Sequence, residues 1–64
     1  MIKVNDVLRT DADFENAILF KNRVAVTQYG FTVDYGGMIE SFDKEYVKIN
    51  NRYYQRASYE FRVR

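Results

Sequence analysis

From Arg23 to the end of the chain, β-branched and aromatic residues alternate with polar ones in short runs, separated by glycine, asparagine and aspartate. Alternation with a period of two is typical of a strand with one buried face. Glycine, asparagine and aspartate favour turns, and the chain has no proline, so these residues must form its turns. The spacing predicts several short antiparallel strands that follow one another along the chain.

The predicted strands cover residues 23–29, 31–35, 38–42, 46–49 and the C-terminal stretch after residue 51. In F-T-V-D-Y, the residues Phe31, Val33 and Tyr35 lie on one side of the predicted strand. Gly30 predicts a bend, and the pair Gly36-Gly37 is a strong signal for a two-residue hairpin loop. The turns that follow are predicted at Asp43-Lys44-Glu45 and at Asn50-Asn51.

The first residues allow two interpretations. Ile2 and Val4 alternate in the manner of a short strand, and the alternation ends at Asn5-Asp6. Asn5 could equally cap a helix that uses Val7 and Leu8. The sequence leaves both alternatives open.

A short helix is predicted near residues 11–19. Thr10 and Asp13 have the spacing of a capping box, in which each side chain accepts a hydrogen bond from the other residue's amide. Phe14, Ala17 and Ile18 follow at the spacing of one apolar helical face. A helix of this length is marginal alone, so we expect it to pack against the strands.

The turn at Asn50-Asn51 allows two registers for the last strand. A two-residue loop pairs Ile49 with Arg52, and Val47 with Tyr54, and it places Arg56 on the buried face. A slip by one residue reverses the face of every side chain, so the pattern of apolar residues should select the register.

A three-residue loop pairs Ile49 with Tyr53 instead. This register collects the apolar side chains of both strands on one face: Val47, Ile49, Tyr53, Ala57, Tyr59, Phe61 and Val63. We favour it for that reason. A single strand from residue 53 to the end would be unusually long, so we expect a bend near Ala57-Ser58.

The chain has 64 residues and neither cysteine nor histidine. A domain of this size has a small core, and here no disulfide or thiolate metal site can support it. Closing a sheet removes its exposed edges and wraps such a core. We therefore predict one domain over residues 1–64: a mainly β, antiparallel, SH3-like barrel of about five strands with one short N-terminal helix.

The stretch G-G-M-I-E-S-F-D-K-E-Y-V-K-I resembles the central hairpin of Sm-type and SH3-type barrels. The continuation Y-Q-R-A-S-Y-E-F is similar to the end of the Veg family, small proteins of Gram-positive bacteria, through Arg56, Ser58, Tyr59 and Phe61. Together these similarities cover about residues 36–63. They imply a small barrel fold more than a particular activity.

The charge is unevenly distributed along the chain. Residues 1–45 hold five basic and eight acidic residues, whereas residues 46–64 hold five basic residues and Glu60 as the single acid. Arginine and tyrosine are enriched where proteins bind partners. The sequence therefore predicts a basic, exposed partner-binding ridge on the last strand and its neighbour, made of Tyr46, Lys48, Arg52, Tyr54, Arg56, Arg62 and Arg64.

An enzyme is not expected, because no histidine is present to activate a serine or threonine. No cofactor, metal site, small-molecule substrate or membrane partner is expected either. We predict a cytoplasmic bacterial or phage accessory or regulatory protein that binds another protein, or itself, through the basic ridge. The alternative is a nucleic-acid-binding barrel in which the same arginines contact phosphates and Tyr54 stacks on a base.

Overall fold

The computed structural model describes residues 6–64, which form six strands and one helix. In chain order these are β1 (Val7–Leu8), α1 (Asp11–Leu19), β2 (Arg23–Gln28), β3 (Phe31–Phe42), β4 (Tyr46–Ile49), β5 (Arg52–Gln55) and β6 (Glu60–Val63). Val7 and Leu8 are therefore in a strand. The alternation at Ile2 and Val4 and the alternative cap at Asn5 lie outside the described residues.

Helix α1 begins and ends where the sequence predicts. The Thr10 hydroxyl accepts a hydrogen bond from the Asp13 amide at 3.1 Å, and the Asp13 carboxylate accepts one from the Thr10 amide at 3.0 Å. The Arg9 and Thr10 amides together lower the pKa of Asp13. Phe14 and Ala17 face the core, whereas Ile18 lies at its margin. The predicted capping box is thus confirmed.

The fold is mainly β, and all of its strand pairs are antiparallel. The strand order is β1-β6-β2-β3-β4-β5, so the C-terminal strand lies between two strands that are consecutive in the chain. The predicted class is confirmed. Among residues 6–64, however, β1 and β5 do not pair with each other, and the sheet is open. The expected closure is not observed, because β1 offers only two residues for pairing.

Strand β3 connects the two halves of the sheet. It pairs with β2 through Phe31–Met38 and with β4 through Ile39–Phe42. The hairpin loop predicted at Gly36-Gly37 is wrong, because β3 passes through this pair without turning. The preceding hairpin turns at Tyr29-Gly30, where both residues have positive φ.

Gly36 forms part of a bulged region of β3. The register between β2 and β3 shifts twice between Val24 and Thr27, which interrupts the alternation predicted for this part of β3. Gly36 has a φ of +120°, and a Cβ atom there would lie 3.1 Å from the carbonyl oxygen of Val24. Glycine is therefore required here by a close approach between strands rather than by a turn.

The register at Asn50-Asn51 is the one that the apolar pattern did not favour. Both asparagines have positive φ, and the two-residue loop pairs Ile49 with Arg52 and Val47 with Tyr54. The preferred three-residue loop is wrong. The strand ends at Gln55 and the chain turns at residues 56–58, so the side chains of β5 and β6 that face the core need not follow one alternating pattern. The predicted break near Ala57-Ser58 is confirmed.

The core lies between the sheet and helix α1. Its fully buried side chains come from α1, β2, β4 and β6: Phe14, Val24, Val26, Val47, Ile49 and Phe61. The Phe14 ring contacts the rings of Phe42 and Phe61, with centroids 5.6 Å away in both cases. Phe61 and Val63 are buried as predicted, whereas Tyr53 and Ala57 are exposed. Aromatic packing thus supplies much of the small core.

Replacing Gly36 with alanine should lower the free energy of unfolding by about 2–4 kcal/mol, because alanine is strained at this φ and its Cβ meets the Val24 backbone. Gly30→Ala is the matched control. Its φ is +80°, but no atom of the described residues lies within 4 Å of the added Cβ, so a loss of about 1 kcal/mol is expected. Urea unfolding of both variants measures the difference, and equal losses would contradict a role for the close approach.

Candidate functional site

Arg56, one of the residues predicted to bind a partner, is used inside the protein. One guanidinium nitrogen lies 2.7 Å from a carboxylate oxygen of Asp11 and 2.7 Å from the carbonyl oxygen of Asp43, and the other lies 3.0 Å from the carbonyl oxygen of Arg9. The guanidinium carbon is 4.6 Å from the centroid of the Phe14 ring. The side chain is only 16% exposed. Its donors are therefore largely occupied and unavailable to a partner.

Tyr54 is buried, which corrects the prediction that it is an exposed ring. It is 8% exposed, and its hydroxyl donates a hydrogen bond to the Asp34 carboxylate at 2.9 Å. The register explains this, because Tyr54 faces Val47 on the inner side of the sheet. Burial and the charge and hydrogen bond of Asp34 raise the pKa of Tyr54, and the neighbouring Arg52 opposes them.

Asp34 joins β3 to the β4–β5 hairpin. Besides Tyr54, its carboxylate accepts hydrogen bonds from the Gly36 amide and from the side-chain amide of Asn50, both at 3.0 Å. Burial alone would raise the pKa of Asp34, but these hydrogen bonds and the charge of Arg52 outweigh it and lower the pKa. Arg52, another predicted binding residue, therefore lies beside an internal polar cluster.

Tyr46 and Lys48 remain on the outer side of the sheet. The Lys48 ammonium is 5.4 Å from the centroid of the Tyr53 ring and 3.9 Å from a carboxylate oxygen of Glu40. The Tyr46 and Tyr53 rings meet edge to face, with centroids 6.3 Å apart. We call Tyr46, Lys48 and Tyr53 the β4–β5 face. Tyr53 was predicted to be buried and enters this group through the observed register.

Arg62 and Arg64 lie at the other part of the sheet. Arg62 in β6 is opposite Val7 on one side and Ala25 on the other. Arg64 follows β6, and its guanidinium donates a hydrogen bond to the carbonyl oxygen of Tyr35. Strands β2, β3 and β4 lie between β6 and β5 in the sheet. The seven predicted residues therefore do not form one continuous ridge.

Three exposed apolar side chains of the β2–β3 hairpin were not predicted as a site. Tyr29, Phe31 and Val33 are 91%, 76% and 47% exposed, and we call them the hairpin surface. Tyr29 lies in the turn at Tyr29-Gly30, and Phe31 and Val33 lie at the start of β3. The sequence signal was the aromatic pair around Gly30, but the pattern alone did not show that its rings remain in solvent.

The edge of β3 beside the hairpin surface is also free. Strand β4 pairs with β3 only through Ile39, Ser41 and Phe42. Within residues 6–64, no strand pairs with Phe31–Asp34 on the side away from β2. Unpaired backbone groups of an edge strand can accept a strand from another chain. Exposed apolar side chains and a free edge thus occur at the same place.

A second group of exposed apolar residues lies at the end of α1. Leu19 and Phe20 both project into solvent there. Unlike the hairpin surface, they belong to the end of a helix rather than to a strand. Phe20 therefore serves below as a matched exposed phenylalanine outside the proposed site.

The chain was compared with models of protein families, with curated proteins and with solved structures, and no match was found in any of the three. The resemblance to SH3-type, Sm-type and Veg proteins stays a prediction. In the part of the chain that the structure describes, no three or more acidic side chains are grouped so as to hold a metal ion. No helix in that same part is long and apolar enough to cross a membrane.

Replacing Arg56 with glutamine should lower the free energy of unfolding by about 3 kcal/mol, because three acceptors and the Phe14 ring lose their partner. Arg56→Lys should recover part of this loss, since a compact ammonium cannot span all the acceptors. Arg62→Gln, on the surface, should cost about 0.5 kcal/mol or less. Chemical denaturation compares the three, and equal costs at the two arginines would contradict the role of Arg56.

The stability should also fall in acid partly through Asp34. Its folded-state pKa lies below the ordinary value of 3.8, so the carboxylate stabilises the folded state above that pH. This contribution is lost as the pH falls through the folded-state pKa. Asp34→Asn should therefore lose less unfolding free energy than the wild type between about pH 4 and about pH 2. Urea titrations across this range test it; an unchanged pH dependence would contradict it.

Proposed function

We propose that the protein is a small, non-enzymatic accessory or regulatory domain that binds a partner protein through the hairpin surface. The observation that carries this proposal is the exposure of Tyr29, Phe31 and Val33 on one hairpin. Apolar groups placed together in water are unfavourable unless another surface covers them. The core is complete without these side chains, so packing does not account for their presence.

The free edge of β3 supports the same function and suggests how the partner docks. An extended segment of the partner would add to the sheet beside Phe31–Asp34 and gain main-chain hydrogen bonds there. Its alternate side chains would cover the hairpin surface. Main-chain pairing would supply affinity, and contacts with the aromatic rings would supply specificity.

The basic ridge predicted from the sequence supports partner binding less well. Arg56 and Tyr54 make hydrogen bonds to Asp11 and Asp34 within the fold. Arg52 lies close enough to Tyr54 to oppose the rise of its pKa. The β4–β5 face keeps exposed rings and a lysine, but Lys48 already contacts Tyr53 and Glu40. The β4–β5 face is therefore proposed as a secondary contact.

Phe31→Ser should weaken partner binding at least about tenfold, because a central aromatic contact is removed, and should leave the fold intact. Phe20→Ser removes an equally apolar, exposed ring at the end of α1 and should bind as the wild type does. Affinity purification from cell extract, with and without nuclease, identifies the protein captured by the wild type, and titration with that purified protein gives the affinities.

The proposal is contradicted when the captured protein binds Phe31→Ser and Phe20→Ser equally well. Sedimentation of the purified chain distinguishes self-association from a different partner. A dimer that dissociates in Phe31→Ser would identify a second copy as the partner. Capture that disappears on nuclease treatment would instead show that nucleic acid mediates the interaction.

A further inference from the structure

A shallow groove lies beside β6, on the side of the sheet opposite the core residues Phe61 and Val26. Three strands, β2, β3 and β6, and the end of the chain form its walls. We call it the β6 groove, and it is lined by Ala25, Thr27, Thr32, Tyr35, Arg62, Val63 and Arg64. Its lining holds two arginines and no acidic residue, so its charge is complementary to an anion.

Within residues 6–64, Arg62 and Arg64 each make one polar side-chain contact, which leaves further N–H donors of each guanidinium unused. Arg62 lies 3.5 Å from a carboxylate oxygen of Glu60, a long contact between two side chains that are each about half exposed. Arg64 donates to the carbonyl oxygen of Tyr35. A guanidinium has five N–H donors in a planar fork that matches a phosphate. Each arginine can therefore contact a phosphate oxygen without giving up its place in the fold.

A buried hydroxyl in the groove lacks a partner. Thr27 is 9% exposed, and within the described residues its hydroxyl oxygen has no hydrogen-bond partner. Thr27 is opposite Thr32 in the β2–β3 ladder, so two hydroxyl-bearing residues line the groove side by side. An unsatisfied buried hydroxyl is unfavourable, and this oxygen lies below the surface of the groove, out of contact with a ligand.

Tyr35 adds an aromatic ring to this basic groove. The residue is 74% exposed, and the Arg64 guanidinium carbon lies 6.0 Å from its ring centroid. An arginine held near an exposed ring pairs a phosphate donor with a surface for stacking. This combination differs from the predicted ridge, in which Tyr54 was the stacking ring.

We propose that the β6 groove binds a nucleotide unit, with its phosphate on Arg62 and Arg64 and its base on the Tyr35 ring. The same chemistry is offered by single-stranded nucleic acid and by a free mononucleotide. Duplex DNA is a poorer ligand, because its bases are paired and stacked. This inference does not depend on the proposed function, since the hairpin surface residues Tyr29, Phe31 and Val33 are not in the groove lining.

The test measures fluorescence anisotropy of a labelled oligothymidylate at low salt, with competition by a mononucleotide, by duplex DNA and by an acidic peptide. The oligothymidylate should bind with a slope of log affinity against log salt of about −0.7, since one phosphate neutralised on a single strand contributes that amount. If the mononucleotide competes, a single nucleotide is sufficient for binding. If it does not compete, the ligand is single-stranded nucleic acid.

Arg62→Gln and Arg64→Gln should each weaken binding about fivefold and make it less dependent on salt. Glu60→Gln should strengthen binding, because it releases Arg62 from its carboxylate. This gain would not arise from a purely structural role. Lys48→Gln on the β4–β5 face removes the same charge and should change the affinity little.

A further pair of variants examines the ring. Tyr35→Phe should keep the affinity and Tyr35→Leu should lose about tenfold, because stacking needs the aromatic face. Phe31→Ser should bind nucleotide normally, which separates this site from the proposed protein interface.

Three results would overturn the proposal. The first is no binding of either oligothymidylate or mononucleotide by the wild type. The second is equal competition by the acidic peptide, which would show unspecific charge attraction. The third is an affinity unaffected by Arg62→Gln and Glu60→Gln. Both of these substitutions lie on the surface, so the result does not depend on whether an Arg64 variant folds.

Discussion

The fold depends on one arginine that bridges elements which the sheet leaves apart. Arg56 lies in the turn after β5. Its guanidinium contacts the carbonyl oxygen of Arg9, which follows β1, the carboxylate of Asp11 in the first turn of α1, and the carbonyl oxygen of Asp43 in the turn after β3. The strands at the two ends of the sheet are too short to close it by pairing. A single guanidinium with several fixed donors links these elements in place of strand pairing. Its contact with the Phe14 ring connects them to the core.

Asp34 has the corresponding role inside the sheet. Strand β3 must serve both halves, and the bulged region at Gly36 lets it change direction between β2 and β4. A bulge leaves backbone groups without partners in the neighbouring strand, and here the Asp34 carboxylate accepts a hydrogen bond from the Gly36 amide. It also accepts hydrogen bonds from the Tyr54 hydroxyl and the Asn50 side-chain amide, and these bonds hold the β4–β5 hairpin against the bulge. Two charged residues thus hold in place a core that no disulfide supports.

Local features of the fold could be predicted from the sequence, and features set by distant contacts could not. The capping box at Thr10 involves neighbours in the chain, so its residues are sufficient to recognise it. Gly36-Gly37 is compatible with a hairpin loop or with a bulge, and the choice depends on Val24 across the sheet. The predicted register after Asn50-Asn51 was wrong because counting apolar residues assumed one continuous strand with one buried face. The turn at residues 56–58 divides this stretch into two strands, each with its own buried face.

The candidate site shows the same division. Composition indicated that arginine and tyrosine would be the functional residue types, but only the packed chain shows which of them are occupied. Arg56 and Tyr54 were named as binding residues and are internal, while Tyr29, Phe31 and Tyr35 were read only as parts of strands and are exposed.

Six of the eleven aromatic side chains are exposed, so the core needs fewer than half of them. The exposed rings also differ in their surroundings. At the hairpin surface they stand beside apolar groups and a strand edge that no other strand of residues 6–64 pairs with. At the β6 groove, Tyr35 stands beside Arg64 and near two hydroxyl-bearing residues. An apolar protein segment and a phosphate require opposite surroundings, so the two proposed sites would suit different ligands within one small domain.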